Sequence, residues 1–210
     1  MIELELKYEI ETIPKVLKNY EIINKKEQID IYYDTPNYDL IHKGNFLRIR
    51  DGKRLEFKLF AGDTSHLYCK ETDFELDQLS NNKDIINELL KSINLKTVED
   101  LNTFNQIIES NNFIVLSPII KHRTTYKYDE ECTISIDEVD DLGLFMECEI
   151  MIDINSLSEE KANKIKEQFI SKLKGSKIIT GKEKNVNIGY VELYLLKHNI
   201  KAYNLGIYKT

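Results

Sequence analysis

The chain has 210 residues, 41% of them hydrophobic and 31% charged, with a formal net charge of −7. That length supports one sizeable core and is most simply one domain spanning 1–210. The acidic balance argues against general nucleic-acid binding, which needs a basic surface, and no apolar run reaches the roughly 18 residues that a membrane span requires.

Residues 2–10 alternate charged and apolar side chains and read as a strand, so no signal peptide is expected. A helical pattern follows Pro14 and carries Val16, Leu17, Tyr20 and Ile23. Residues 28–34 alternate again, and Thr35-Pro36-Asn37 marks a turn. Asp51-Gly52 is a hairpin signal between Leu47-Arg48-Ile49-Arg50 and Leu55-Glu56-Phe57-Lys58. A strand is expected over 68–76, helices over 84–94 and 98–110, and strands again over 113–116 and 119–128. Residues 132–139 and 144–153 form a hairpin pattern around Asp140-Asp141-Leu142-Gly143. Ser158-Glu159-Glu160 opens a helix that Gly175 can end, and 186–198 is a last amphipathic stretch. Cys69, Cys132 and Cys148 include no CxxC pair, so neither a zinc site nor a disulfide framework is expected, and a reducing cytoplasm is the simplest compartment. The four histidines, His42, His66, His122 and His198, are scattered and read as structural or exposed, as Tyr32, Tyr33, Tyr126 and Tyr128 read as packing.

Residues two apart in a strand share a face. Glu3, Glu5 and Lys7 therefore point one way, and Arg48 with Arg50, Glu56 with Lys58, Lys121 with Arg123, and Glu147 with Glu149 repeat the pattern. Setting aside Glu56, the set holds six cations against four acids, in a chain that is acidic overall. Carboxylates are hard ligands suited to Mg²⁺ or Mn²⁺, and arginine grips phosphate oxygens bidentately. A metal held by acids beside a cationic clamp is the equipment of phosphoryl transfer.

The ordered set of motifs resembles the CYTH superfamily, the triphosphate tunnel metalloenzymes. The resemblance rests on Glu3-x-Glu5-x-Lys7, Gln28-x-Asp30-x-Tyr32-Tyr33-Asp34-Thr35-Pro36, Leu47-Arg48-Ile49-Arg50, Glu56-Phe57-Lys58, Lys121-His122-Arg123, and Asp137-Glu138-Val139 running on to Glu147-x-Glu149. It implies an α+β fold in which a closed antiparallel β-barrel of eight strands forms a tunnel with helices packed outside. It implies Glu3, Glu5, Asp137, Glu147 and Glu149 as metal ligands for Mg²⁺ or Mn²⁺, with Glu71 a further acid. It implies Lys7, Arg48, Arg50, Lys58, Lys121 and Arg123 as triphosphate contacts, completed by Lys184 or, second, Lys182. Lys7, Arg50, Lys58 and Glu149 are the residues expected to carry catalysis.

The expected function is metal-dependent hydrolysis of inorganic triphosphate or a related small triphosphate, with tripolyphosphate, ATP and thiamine triphosphate as candidate partners. The alternatives are a class IV adenylate cyclase and a non-catalytic phosphate- or nucleotide-binding barrel. Intact glutamates disfavour the last, because anion binding alone needs no carboxylate. No membrane partner is expected, and the oligomeric state stays open, a homodimer included.

Overall fold

The computed structural model describes the backbone of residues 2–60, 69–152 and 159–209, and the side chains of 4–60, 71–150 and 163–209. Tyr68, Asp153 and Ser158, at the edges of expected elements, lie outside the described residues, as do His66 and the side chains of Glu3 and Cys69. The chain divides into two compact units, residues 1–27 with 121–187 and residues 28–120 with 188–210.

The first unit is built on β1 (Ile2–Glu9), the start of β2 (Glu21–Asp34), the end of β6 (Ile114–Lys127), β7 (Cys132–Val139), β8 (Gly143–Ile152), helix α3 (Glu159–Gly175) and the short β9 (Lys184–Val186). The strands are antiparallel in the order β6-β7-β8-β1-β9. One face of β1 is apolar, with Leu4 and Leu6 both buried, and so is one face of β7, with Ile134 and Ile136. Cys148 lies fully buried between Glu147 and Glu149, which directs those two glutamates to the opposite face. Burial pushes the Cys132 thiol up to about 12 and the Cys148 thiol well above its ordinary value, so both stay protonated and inert near neutral pH.

The second unit holds the end of β2, β3 (Phe46–Arg50), β4 (Arg54–Phe60), β5 (Cys69–Glu75) and helices α1 (Lys83–Ser92), α2 (Phe104–Asn111), α4 (Tyr190–His198) and α5 (Ile200–Leu205). Its strands are antiparallel in the order β5-β4-β3-β2. The tight β3–β4 turn uses Asp51 and Gly52, with φ of 54° and 63°, a left-handed backbone that Asx and glycine tolerate. This sets the register Arg48↔Glu56 and Arg50↔Arg54. The core joins Leu47, Leu55 and Phe57 of the sheet to Ile86 and Leu90 of α1 and Ile107 of α2. No helix among the described residues is long and apolar enough to cross a membrane.

The α+β class and the antiparallel pairing are as expected. Nine strands are described in place of eight, the additional one being the three-residue β9, and among the described residues hydrogen bonds do not close the sheet into the expected barrel, since β5 and β9 stand at its two ends. Three local expectations differ. The pattern after Pro14, read as helical through Ile23, yields only a 3₁₀ turn, Lys15–Asn19, because β2 takes over at Glu21, ahead of the strand expected over 28–34. The pair of strands over 113–128 is one strand, β6, running through Pro118, whose fixed φ suits extended backbone. The helix over 98–110 begins only at Phe104, because Thr103 and Gln106 close a capping box there.

Asp34 fixes the exit of β2 toward β3. It is fully buried, and its carboxylate accepts the backbone N–H of Thr35 at 2.7 Å, Leu40 at 2.9 Å and Ile41 at 3.0 Å. Asp34→Ala strands three buried donors, each costing about 1–3 kcal/mol. Denaturant titration should show a loss of about 3 kcal/mol or more, with Asp34→Asn losing less. A loss below about 1 kcal/mol for the alanine variant would contradict this role.

Candidate active site

Strand register builds an acidic cluster in the first unit. Glu5 on β1 lies directly opposite Glu149 on β8, and Lys7 lies opposite Glu147. Like charges placed opposite one another destabilise a sheet, so the Glu5–Glu149 pair requires cations. Two come from the chain. The Lys7 ammonium sits 2.8 Å from Glu5 Oε1 and 3.2 Å from Glu147 Oε1. Arg123, on β6, donates through Nε to Asp137 Oδ1 at 2.7 Å and bonds Glu147 through Nη2. Its Nη1 lies 3.8 Å from Glu149 Oε1. Burial alone would lower the Lys7 and Arg123 pKa values, but the surrounding carboxylates outweigh it and raise both, so both remain charged. Lys121 approaches Asp137 Oδ2 at 3.4 Å, and Thr133 donates to Glu149 Oε2 at 3.3 Å.

Ligand oxygens of Glu5, Glu147 and Glu149 all lie within 4.8 Å of one another. Their exposure is graded. The Glu147 side chain is 5% exposed, Glu149 20% and Glu5 38%, so the cluster opens outward from its deepest member. Three hard oxygen donors at this spacing fit Mg²⁺ or Mn²⁺. Counting Asp137, four described carboxylates share the cations Lys7, Lys121 and Arg123.

The second unit carries the remaining expected cations around one cavity of about 180 Å³ lined by Arg48, Arg50, Arg54 and Lys58, by the rings of Tyr32, Phe46 and Phe57, and by Glu56, Glu71, Asp73 and Glu192. The cations there are held by acids and a phenol. Glu56 Oε2 accepts from Arg48 Nε at 2.8 Å and lies 3.3 Å from Arg50 Nη1. Asp30 accepts from Arg50 Nε at 2.7 Å, and Tyr32 Oη accepts from Arg48 Nη1 at 2.7 Å. Lys58 pairs with Glu71 at 3.1 Å. Burial would raise Glu71, but Lys58, Arg48 and Arg50 overcome it and hold the carboxyl below its usual range.

Most expected site residues thus fall into two constellations. One is Glu5, Lys7, Lys121, Arg123, Asp137, Glu147 and Glu149. The other is Arg48, Arg50, Lys58 and Glu71. Lys184 stands apart: it is largely exposed on β9 and salt-bridged to Glu9 at 2.6 Å. His122 is exposed, as expected. Asp30, Tyr32 and Glu56 were not singled out as site residues. Their sequence signals are the period-two alternation that also places Arg48 and Arg50 and their positions in the Gln28-x-Asp30-x-Tyr32 and Glu56-Phe57-Lys58 motifs.

The CYTH domain family model covers residues 1–180. The chain therefore belongs to the CYTH family, whose members include triphosphatases and adenylate cyclases and are metal-dependent enzymes. A Methanocaldococcus jannaschii protein named "Putative adenylate cyclase" is 31% identical over 199 residues, covering 92% of this chain and 98% of its own. The structure of protein PH1819 from Pyrococcus horikoshii aligns with a TM-score of 0.63 at 25% identity, over 93% of this chain and 99% of that one. A Hippeastrum protein, described as a "Putative adenylyl cyclase" that "reveals a dominant" triphosphatase activity, shares the fold. Its TM-score is 0.59 at 17% identity, over 96% and 98% of the two chains.

A ligand that binds the folded state alone raises the melting temperature. Mn²⁺ should therefore raise the thermal midpoint of the wild-type protein, and the increase should shrink in Glu149→Gln, which removes one charged ligand at constant size. Equal increases in both proteins would place the ion elsewhere.

Proposed function

We propose that the chain is a metal-dependent phosphohydrolase acting on inorganic triphosphate or a related small triphosphate. The observation that carries the proposal is the convergence of Glu5, Glu147 and Glu149 with Lys7 and Arg123 on the same carboxylates. A bound Mg²⁺ or Mn²⁺ would neutralise phosphate charge and lower the pKa of a water for attack on phosphorus. Glu5, Glu147 and Glu149 would hold it, with Asp137 keeping Arg123 in place. Glu3 stays part of the proposed ligand set on the strength of the resemblance. Lys7 and Arg123, kept charged by their neighbours, would take phosphate oxygens and stabilise charge on the transferring group. Arg48, Arg50 and Lys58 are the further cations of the proposed grip. The proposal places the protein in the cytoplasm.

A second reading, adenylate cyclisation, draws on the rings of Tyr32, Phe46 and Phe57 beside Arg48 and Arg50, since aromatic walls next to cations suit a nucleotide. The name of the Methanocaldococcus jannaschii relative points the same way. Hydrolysis of a simple triphosphate is preferred because the described site residues are overwhelmingly charged. A site of that kind favours the ligand with the most phosphate charge for its size.

Incubation with tripolyphosphate, ATP and thiamine triphosphate, each with Mg²⁺ or Mn²⁺, tests both readings. Phosphate, pyrophosphate and cyclic AMP would be quantified. The expected result is a higher kcat/KM for tripolyphosphate than for ATP, with pyrophosphate and orthophosphate as products and no turnover in EDTA. Cyclic AMP formed from ATP faster than phosphate is released from tripolyphosphate would reverse the assignment. Glu149→Gln and Arg50→Ala should each lower turnover by roughly 10²-fold without unfolding the protein, as for loss of one preorganised electrostatic contact. Near-normal kcat/KM in a folded variant would remove that residue from the site.

A further inference from the structure

We infer that Asp30, braced by Gln28, is a positioning residue that holds Arg50, and through the shared network Arg48, in the orientation the phosphate grip uses; the inference rests on the triphosphate reading above. Asp30 is 2% exposed and Gln28 3%, and neither lines the cavity that Arg48 and Arg50 border. The strand register sets Asp30 directly opposite Arg50 and Tyr32 opposite Arg48. Asp30 accepts from Arg50 twice, from Nε to Oδ1 at 2.7 Å and from Nη2 to Oδ2 at 3.2 Å. This is the two-point arrangement that fixes a guanidinium plane. The same Oδ2 lies 3.5 Å from Arg48 Nη1 and accepts the Gln28 amide at 2.9 Å. Gln28 thereby ties the carboxylate to its own strand, so Asp30 cannot swing away without losing a buried hydrogen bond.

The contact geometry separates Asp30 from the other acid of the network. Glu56 lines the cavity and meets both arginines there. Asp30 meets them from outside the lining, which leaves it orientation as its route to the ligand. Its charge alone would oppose anion binding. An arginine without it gains net attraction for phosphate but regains rotamers whose ordering costs free energy on binding. The two effects have opposite signs, so removing the charge at constant shape decides between them.

The experiment is calorimetric titration of Mg²⁺–tripolyphosphate into the wild-type chain, Asp30→Asn, Gln28→Leu, Arg50→Ala and the Asp30→Asn/Arg50→Ala double variant, with steady-state kinetics on each. Positioning predicts that Asp30→Asn weakens binding by about tenfold despite the lost negative charge, and that most of this loss disappears in the Arg50→Ala background. It predicts a smaller loss in the same direction for Gln28→Leu, which alters no charge, and a rise in KM larger than the fall in kcat. Unchanged or tighter binding by Asp30→Asn, or a loss just as large without Arg50, would overturn the inference. Should Asp30→Asn fail to fold, Gln28→Leu decides, and wild-type affinity in that variant would overturn it. A wild-type chain that binds neither tripolyphosphate nor ATP would instead remove the triphosphate reading and the inference with it.

Discussion

The acidic constellation depends on one unfavourable contact made workable. The register of β1 against β8 sets Glu5 opposite Glu149, and two carboxylates so placed repel unless positive charge lies between them. Lys7 and Arg123 supply it, and each bridges more than one acid. In the proposed function this cluster receives the metal, and the lysine and arginine that hold it together are also the groups that meet the phosphate, so one cluster would serve stability and chemistry at once.

The second unit solves the mirror-image problem. Adjacent arginines on β3 share one face, and the flanking strands each give them an acid, Asp30 from β2 and Glu56 from β4. Arginines paired in this way are ordered before any ligand arrives. In the proposed grip, a phosphate binding to them would lose less side-chain entropy than on two free guanidinium groups. Burial of the ion pairs is costly in itself. The bidentate geometry at Asp30 and the Tyr32 hydroxyl on Arg48 are what offset that cost.

Alternation alone made the charged faces legible, since period two places Leu4 and Leu6 in the core and leaves Glu5 and Lys7 on the other face. The Asp51-Gly52 signal likewise located the hairpin that carries Arg48 and Arg50. What alternation does not carry is which strand lies beside which, and in what register. Asp30 therefore stands in a family motif without an assigned role, and its place opposite Arg50 makes it part of the arginine network. The same holds for Lys184, whose three-residue strand pairs with the end of β1 and sets it against Glu9. The short elements failed for a local reason: Val98 and Leu101 are spaced like a helix face and are buried, yet they lie ahead of the capping box at Thr103.

The central claim is that Glu5, Glu147 and Glu149 form a divalent-metal site that works on a triphosphate. Anomalous diffraction at the manganese edge, from crystals grown with Mn²⁺ and tripolyphosphate, addresses it most directly. The account predicts a manganese peak bonded to oxygens of all three glutamates, with phosphate oxygens in contact with Lys7 and Arg123. Manganese bound at other residues, or tripolyphosphate bound without contact to either cation, would contradict it.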